Sequence, residues 1–556
     1  MKLLHNKINL ACLSLCLCIG TLHAQETQET QETQQDSVFE RNLTVEREYT
    51  PVVKHATRID FSPSVLSEST TSRDVTYPDF NRPIETEKTV PTLDRARMAF
   101  PTPKQDKGFA RVGLGLYWNT LAELNYRLLD QKQTQMNIYA NHYGVFRNRV
   151  LSETDFGMNL SHRLETSEIY FIAQAANEFF NYYGKCYVDS TNHYDFSKLD
   201  TLSAKAKGFW DVTANVGWRS LANSKLDYLL HVGYNYYHLG TGIGTHAINA
   251  RGYAGGTIAD KHTIGVNIAN NTLLYMSNDI KQSPRNHLHA EPFYQYKSDR
   301  LHIHAGINLD FMFGKHFAFA PSPQVMVEWM ADPEMVSLYI NAMGSYNMNT
   351  PKNIVAENRY VEIPAIINDS NSTYIPIKAD IGFKIKPAKG LLITPYLSFT
   401  HLRNDVFYTF NTASMTYSCF NMNASVFDAG LTLNYHYQDK LNINFGGAYH
   451  HWMTQPGLTV WDKPAWDIWA DIHYNITAKW SVQADMSFIG QRKANVDGTA
   501  QKLKAGYQIN LGGIYTPNKW LSAFLKLNNI AHNQYEQFYA YKTYGFQLLA
   551  GVSLAF

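Results

Sequence analysis

The run LHIHAGINLDFMF alternates apolar and polar residues over nearly its whole length. Leu301, Ile303, Ala305, Ile307, Leu309, Phe311 and Phe313 share one face, and His302, His304, Gly306, Asn308 and Asp310 share the other. Successive side chains of a strand point to opposite faces, so this period of two predicts a strand. KLDYLLHVGYNYY repeats it with Leu226, Tyr228, Leu230, Val232, Tyr234 and Tyr236 against Asp227, His231 and Asn235. PAWDIWADIHYNI does the same with Trp466, Ile468, Ala470, Ile472 and Tyr474 against Asp467, Asp471 and His473. These runs last 10 to 13 residues. Strands of soluble sheets are mostly about 5–6 residues long, whereas a strand crossing a bilayer needs about 9–11. In hydrocarbon every backbone polar group must pair within the protein, so spanning strands have to close into a barrel.

Composition agrees with a sheet that is apolar on one side and polar on the other. Charged residues are 17% of the 556, against about 25% in ordinary soluble proteins, while aromatics reach 13%. Mean hydropathy is -0.32, and no run reaches the roughly 18 apolar residues of a spanning helix. The net charge of +1 gives no strong pull toward nucleic acid.

Short turn signals punctuate the chain from Asp130-Gln131 to Asn518-Lys519, ten in all and mostly about 40 residues apart. Each interval holds two strands and one loop. Long polar loops are expected at about 181–205, 348–372 and 403–423. Tight turns at one end and long loops at the other are the asymmetry of outer-membrane barrels. Ten turns separate eleven hairpins, which predicts an all-β transmembrane antiparallel barrel of about 22 strands over residues 106–556.

The N-terminal stretch has Lys2 and Lys7, then an apolar run from Ile8 to Leu22, then His23-Ala24. These are the three regions of a secretory signal peptide, so residues 1–24 are expected to direct export and to be cleaved after Ala24. Residues 25–105 begin with QETQETQETQQD and stay rich in Thr, Ser, Pro, Arg and Glu. With so little apolar surface this stretch is expected to be an extended periplasmic segment. Within it VEREYTPVV offers Val45, Tyr49, Pro51, Val52 and Val53 as a short patch that could add a strand to a periplasmic protein partner. Cleavage leaves two cysteines, Cys186 and Cys419, whose pairing spacing alone does not decide.

The closing stretch LLAGVSLAF alternates as well. Phe556, with Leu554 two before it and Gly551 five before it, resembles the C-terminal signal read by the barrel assembly machinery of bacterial outer membranes. FLKLNNIAHNQYEQFYAYKTYGFQLLAGVSLAF, with Asn528-Asn529-Ile530, Tyr535 and Tyr544-Gly545-Phe546, resembles the end of TonB-dependent receptors. That resemblance implies a 22-strand barrel and uptake of a nutrient across the outer membrane. The family's folded plug of well over a hundred residues is not apparent here, where about 80 residues separate the expected signal peptide from the first expected strand.

Catalytic chemistry is not apparent. Histidine occurs 21 times, but His302 and His304 supply two ligands where zinc wants at least three. His450 and His451 point to opposite faces. LGTGIGTH, Leu239 to His246, lies between strands and not before a helix, so it reads as a wide hairpin loop and not as a phosphate cradle. No enzyme, cofactor or metal site is expected. Aromatics crowd the long loops and strand ends: Phe179, Phe180, Tyr182, Tyr183, Tyr187, Trp452, Trp461, Tyr535, Phe538, Tyr539 and Tyr541. They suit either an interface girdle or a stacking surface for a ligand. Two functions stay open: a receptor-like barrel that binds or transports a nutrient, and a barrel anchor that docks a periplasmic protein through its N-terminal segment.

Overall fold

A computed structural model describes residues 107–187, 194–200, 205, 207–221, 226–240, 242–277, 282–362 and 371–556. They build a closed antiparallel barrel of 22 strands. Wall strands follow one another in chain order. The ring closes where Gly108–Gly115 pairs with Gln547–Ala555, from Phe109 opposite Ala555 to Gly115 opposite Leu549. Nine of the ten expected tight turns fall between consecutive wall strands at one end, and the tenth, Asn223-Ser224, lies outside the described residues. The described parts of the expected long loops at 181–205 and 348–372 lie at the other end.

The third expected loop is not a loop. Residues 403–423 belong to a tall hairpin, Leu391–Asn411 with Thr416–Tyr437, whose strands run 21 and 22 residues. The polar residues that suggested a loop alternate with Val406, Tyr408, Phe410 and Tyr417, all buried. This apolar face carries the ladder beyond the wall. The glycine-rich stretch at 239–246 is also shorter than expected. One strand ends at Leu239 and the next begins at Ile243, so most of it is strand.

Ion pairs across the mouth identify the inner face. Lys352, between strands Val336–Met348 and Ser372–Ala388, meets Asp211 of strand Lys207–Ser220 at 2.8 Å. Arg359 of the same connection meets Glu178 of strand Ser167–Phe180 at 2.9 Å. These strands are far apart in the ring, so the connection reaches them only across the opening. Asp211 and Glu178 therefore point inward, and Trp210 and Val212, exposed beside Asp211, point outward. The same alternation holds elsewhere: Ile307 is 45% exposed, whereas Asn308 and Asp310 are buried. Aromatic pairs gird the short-turn end, with Trp218 on Tyr228, Trp480 on Tyr515 and Tyr126 on Phe556. Rings such as Trp118, Trp210, Phe317 and Trp466 stand exposed toward the long-loop end. Such belts suit the two interfaces of a bilayer.

The seam needs one glycine in particular. Gly551 stands opposite Gly113, and a Cβ on it would collide with the Val112 carbonyl oxygen and the Phe524 ring.

Candidate functional site

At the long-loop end, connections from around the ring turn toward one another and make a core of their own. It contains Phe180, Tyr182 and Tyr183 after strand Ser167–Phe180, and Ile354, Val355, Tyr360 and Val361 after strand Val336–Met348. The tall hairpin adds Tyr408, Phe410 and Tyr417. A hairpin standing off the wall, Arg492–Val496 with Thr499–Leu503, adds Ala494, Val496 and Leu503. A small hairpin, Glu536–Phe538 with Tyr541–Lys542, adds Phe538 and Tyr541. Apolar surface carried by loops is stable only when it meets other apolar surface, and here it does so across the mouth. The result is a lid.

Tyr541 is fully buried at its centre. Its ring stacks on Tyr360, with centroids 3.6 Å apart and planes at 16°. It meets the edge of Tyr183 at 5.1 Å, and its hydroxyl donates to the Met415 carbonyl at 3.0 Å. A side chain on Gly184 would strike this ring. Local sequence shapes each contributor. The helix Pro351–Glu357 starts on Thr350, whose hydroxyl accepts from the Asn353 amide, with Pro351 where a missing N–H costs nothing. Tyr417 and the 358–362 stretch exchange backbone bonds: Tyr417 N–H to Tyr360 O and Glu362 N–H to Tyr417 O.

Charged groups tie the lid loops together. Arg149 donates to the carbonyls of Lys542 and Thr543. Arg492 donates to those of Glu536 and Gln537. Lys463 pairs with Glu357 at 2.9 Å, and the Tyr408 hydroxyl takes the other Glu357 oxygen at 2.8 Å. Burial sets the proton affinities here. It pushes the Tyr182 hydroxyl up to about 12, with Glu362 adding to it, and it raises the Glu536 carboxyl and the Cys186 thiol. At Lys463 burial does not decide the direction. Burial opposes its charge, but Glu357 and Asp405 outweigh burial and raise its pKa.

Beneath the lid the inner wall is polar and internally paired. His287 and His289 both contact Asp310 Oδ1 at 2.8 Å. His304 meets Glu291 at 2.9 Å, and His450 lies between Asp428 and Asp467. Among the described residues no group of three or more His, Cys, Asp or Glu side chains is arranged to hold a metal ion.

No sequence-family model matches the chain, and no characterised protein matches it in sequence. Solved structures do match in fold. The ferric-catecholate import receptor Fiu of E. coli K12, in its closed form, aligns over 83% of this chain and 83% of its own, at 12% identity and a TM-score of 0.60. The FrpB iron transporter of Neisseria meningitidis aligns over 81% and 82%, at 11% identity and a TM-score of 0.62. The copper transporter OprC aligns over 81% and 80%, at 11% identity and a TM-score of 0.60. The fold is that of the TonB-dependent receptors.

In this TonB-dependent receptor fold the aromatics singled out from the sequence divide by role. Phe180, Tyr182, Tyr183, Phe538 and Tyr541 are lid core, and Tyr187 and Tyr539 pack against it. Trp452 and Trp461 pack on a neighbouring cluster around Phe407. Tyr535 is buried, its ring where a side chain on Gly506 would fall. Phe179 alone of these stands largely exposed, at 44%, on the outer face. So most are neither girdle nor open stacking surface. Sequence reasoning missed Tyr360, Tyr408, Phe410 and Tyr417, and the signal was available: loops dense in tyrosine and phenylalanine must pack on something. Cys186 and Cys419 are free thiols. Gly551, Leu554 and Phe556 lie on the last strand and just beyond it, with Leu554 and Phe556 exposed outward. Val45, Tyr49, Pro51, Val52 and Val53 lie outside the described residues.

Proposed function

We propose that the chain is an outer-membrane receptor that takes a small nutrient or metal chelate at its long-loop mouth and passes it inward, and that it is not an enzyme. One observation carries the reading: loops from distant strands meet over the opening of a receptor-type barrel as a single packed lid. A barrel this wide encloses a lumen that side chains alone do not fill, so the mouth is where entry is controlled. The named cargoes of the similar structures, ferric catecholates, iron and copper, set the ligand class to test first. In this reading residues 1–24 direct export and the apolar outer face meets membrane lipid. The assembly machinery then reads Gly551, Leu554 and Phe556.

The test compares a strain lacking the chain with its parent. Growth and metal uptake are measured on ferric catecholates, other ferric chelates and copper, each supplied as the limiting source. Selective loss on one cargo is expected, with restoration by the intact gene. Equal uptake of every cargo by both strains would count against the receptor reading.

A further inference from the structure

We propose that the lid is an acid-closed gate: a proton on Asp462 lets the loops lock over the mouth, and loss of that proton releases them. The gate regulates the mouth assigned above to ligand entry and rests on that reading for its purpose, but its operation can be tested with no ligand present.

Asp462 sits where the 454–465 connection turns back, with φ at 57°, and its amide donates to the Lys493 carbonyl at 2.8 Å. The side chain is buried, at 5% exposure. Neither carboxyl oxygen has a hydrogen-bond partner. Charged neighbours surround it, yet the hydrogen bonds they make go elsewhere, and Arg492 Nε makes none. On its own connection Lys463 gives its ammonium to Glu357 of the helix Pro351–Glu357. On the neighbouring hairpin the terminal nitrogens of Arg492 bind the Glu536 and Gln537 carbonyls. From the tall hairpin Tyr417 is the remaining titratable group that faces it, and Asp405 stands beyond Lys463. Asp462 thus lies near two positive charges without a hydrogen bond from either, and Arg492 Nε and the Tyr417 hydroxyl beside it are likewise without a partner.

A buried carboxylate without hydrogen bonds is costly, and a neutral carboxyl is much less so. Burial pushes the Asp462 carboxyl up to about 7; Arg492 and Lys463 hold it down only in part, and Glu357 adds to the rise. The sign follows from linkage. In an open lid Asp462 meets water and returns to its ordinary value, near 4. Below that value it is neutral in both states and does not oppose closing. Between there and about 7, opening releases a proton, so each pH unit favours the open state by roughly tenfold. Above about 7 it is ionised in both states and the balance stops changing. The contacts that bind the 454–465 connection to its neighbours, Lys463 with Glu357 and the Asp462 amide with Lys493, make this one carboxyl a shared concern of several loops.

Cys186 is a built-in probe. It is fully buried in the lid, beside Tyr541. The chain from residue 25 onward, with Cys419→Ser so that Cys186 is its one thiol, is labelled in detergent by a small water-soluble maleimide from pH 5 to pH 8. Protection is the labelling rate of a free peptide spanning residues 180–190 divided by the rate of the protein at the same pH, which cancels the thiol's own titration. Protection should fall by a few tens of fold between pH 5 and pH 7 and then level off, at roughly one proton per opening. Asp462→Asn should keep protection high and flat. Flat protection in the parent chain would overturn the gate, as would an Asp462→Asn protein that follows the parent's profile or is unprotected throughout. A heat-shift gel on each sample confirms that the barrel itself is intact.

Discussion

Tyr541 lies flat on Tyr360, one from the last long connection of the barrel and the other from the connection after Val336–Met348. These connections leave the wall at well-separated points, so the stack joins two sides of the mouth. Around it the lid packs as a small hydrophobic core held by loops and not by wall strands.

Truncating that stack should open the lid without harming the wall. Removing a buried aromatic costs about 3–5 kcal/mol, and here the loss falls on the loops. Tyr541→Ala should therefore expose Cys186 to maleimide at all pH values while leaving the heat-dependent gel shift of the barrel intact. A variant that still protects Cys186 would mean that Tyr541 is not central to the lid.

The wall was legible because its physics is local. A period of two sustained past ten residues fixes strand, face and span at once, as Leu301–Phe313 illustrates. Turn chemistry at positions such as Lys389-Gly390, where Gly390 takes a φ of 77°, marked the hairpins. The lid was not legible, because Tyr360, Tyr408 and Tyr541 are far apart in the chain and no periodicity links them. For the same reason 403–423 read as a loop: its alternation serves a partner supplied by other loops, and its polar residues hid it.

Cysteine scanning checks the face assignment. Cysteine at His302, His304, Asn308 or Asp310 should react with a small water-soluble thiol reagent that reaches the lumen, whereas cysteine at Ile303 or Ile307 should be shielded by lipid. The opposite pattern would mean a one-residue shift in register, which inverts every side chain of the strand.

The seam gives a sharper test of closure. Gly551→Val places branched carbons against the Val112 carbonyl and the Phe524 ring, so the last strand cannot seat beside the first. Loss of the heat-shifted form is expected. Gly513→Ala, where a side chain meets open space, should assemble normally. Equal assembly of the two variants would contradict the seam geometry.

Phe556→Ser, which keeps this residue's backbone bonds to Lys107 and Gly108, should act on assembly and not on stability. The Phe556 ring is half exposed and leans on Tyr126 at 5.8 Å, so little burial is lost. Slower appearance of the heat-shifted form in cells, with an unchanged unfolding midpoint for the barrels that do assemble, is the expected result. Normal assembly kinetics would remove the reading of Phe556 as a signal.

The most direct test of the central claim is a crosslink across the mouth. Lys352 and Asp211 meet at 2.8 Å although the strands that flank Lys352 are not neighbours of the Asp211 strand. This partly exposed pair contributes only about 0–1 kcal/mol, so replacing both with cysteine should leave the fold intact. In a Cys186→Ser, Cys419→Ser background, Lys352→Cys with Asp211→Cys is treated with a short bifunctional thiol reagent in isolated outer membranes. Near-complete intramolecular bridging is expected, as fast as in a control pair on adjacent strands, such as Asp471→Cys with Asp485→Cys. Bridging of the control but not of the Lys352–Asp211 pair would contradict a lid closed over the barrel.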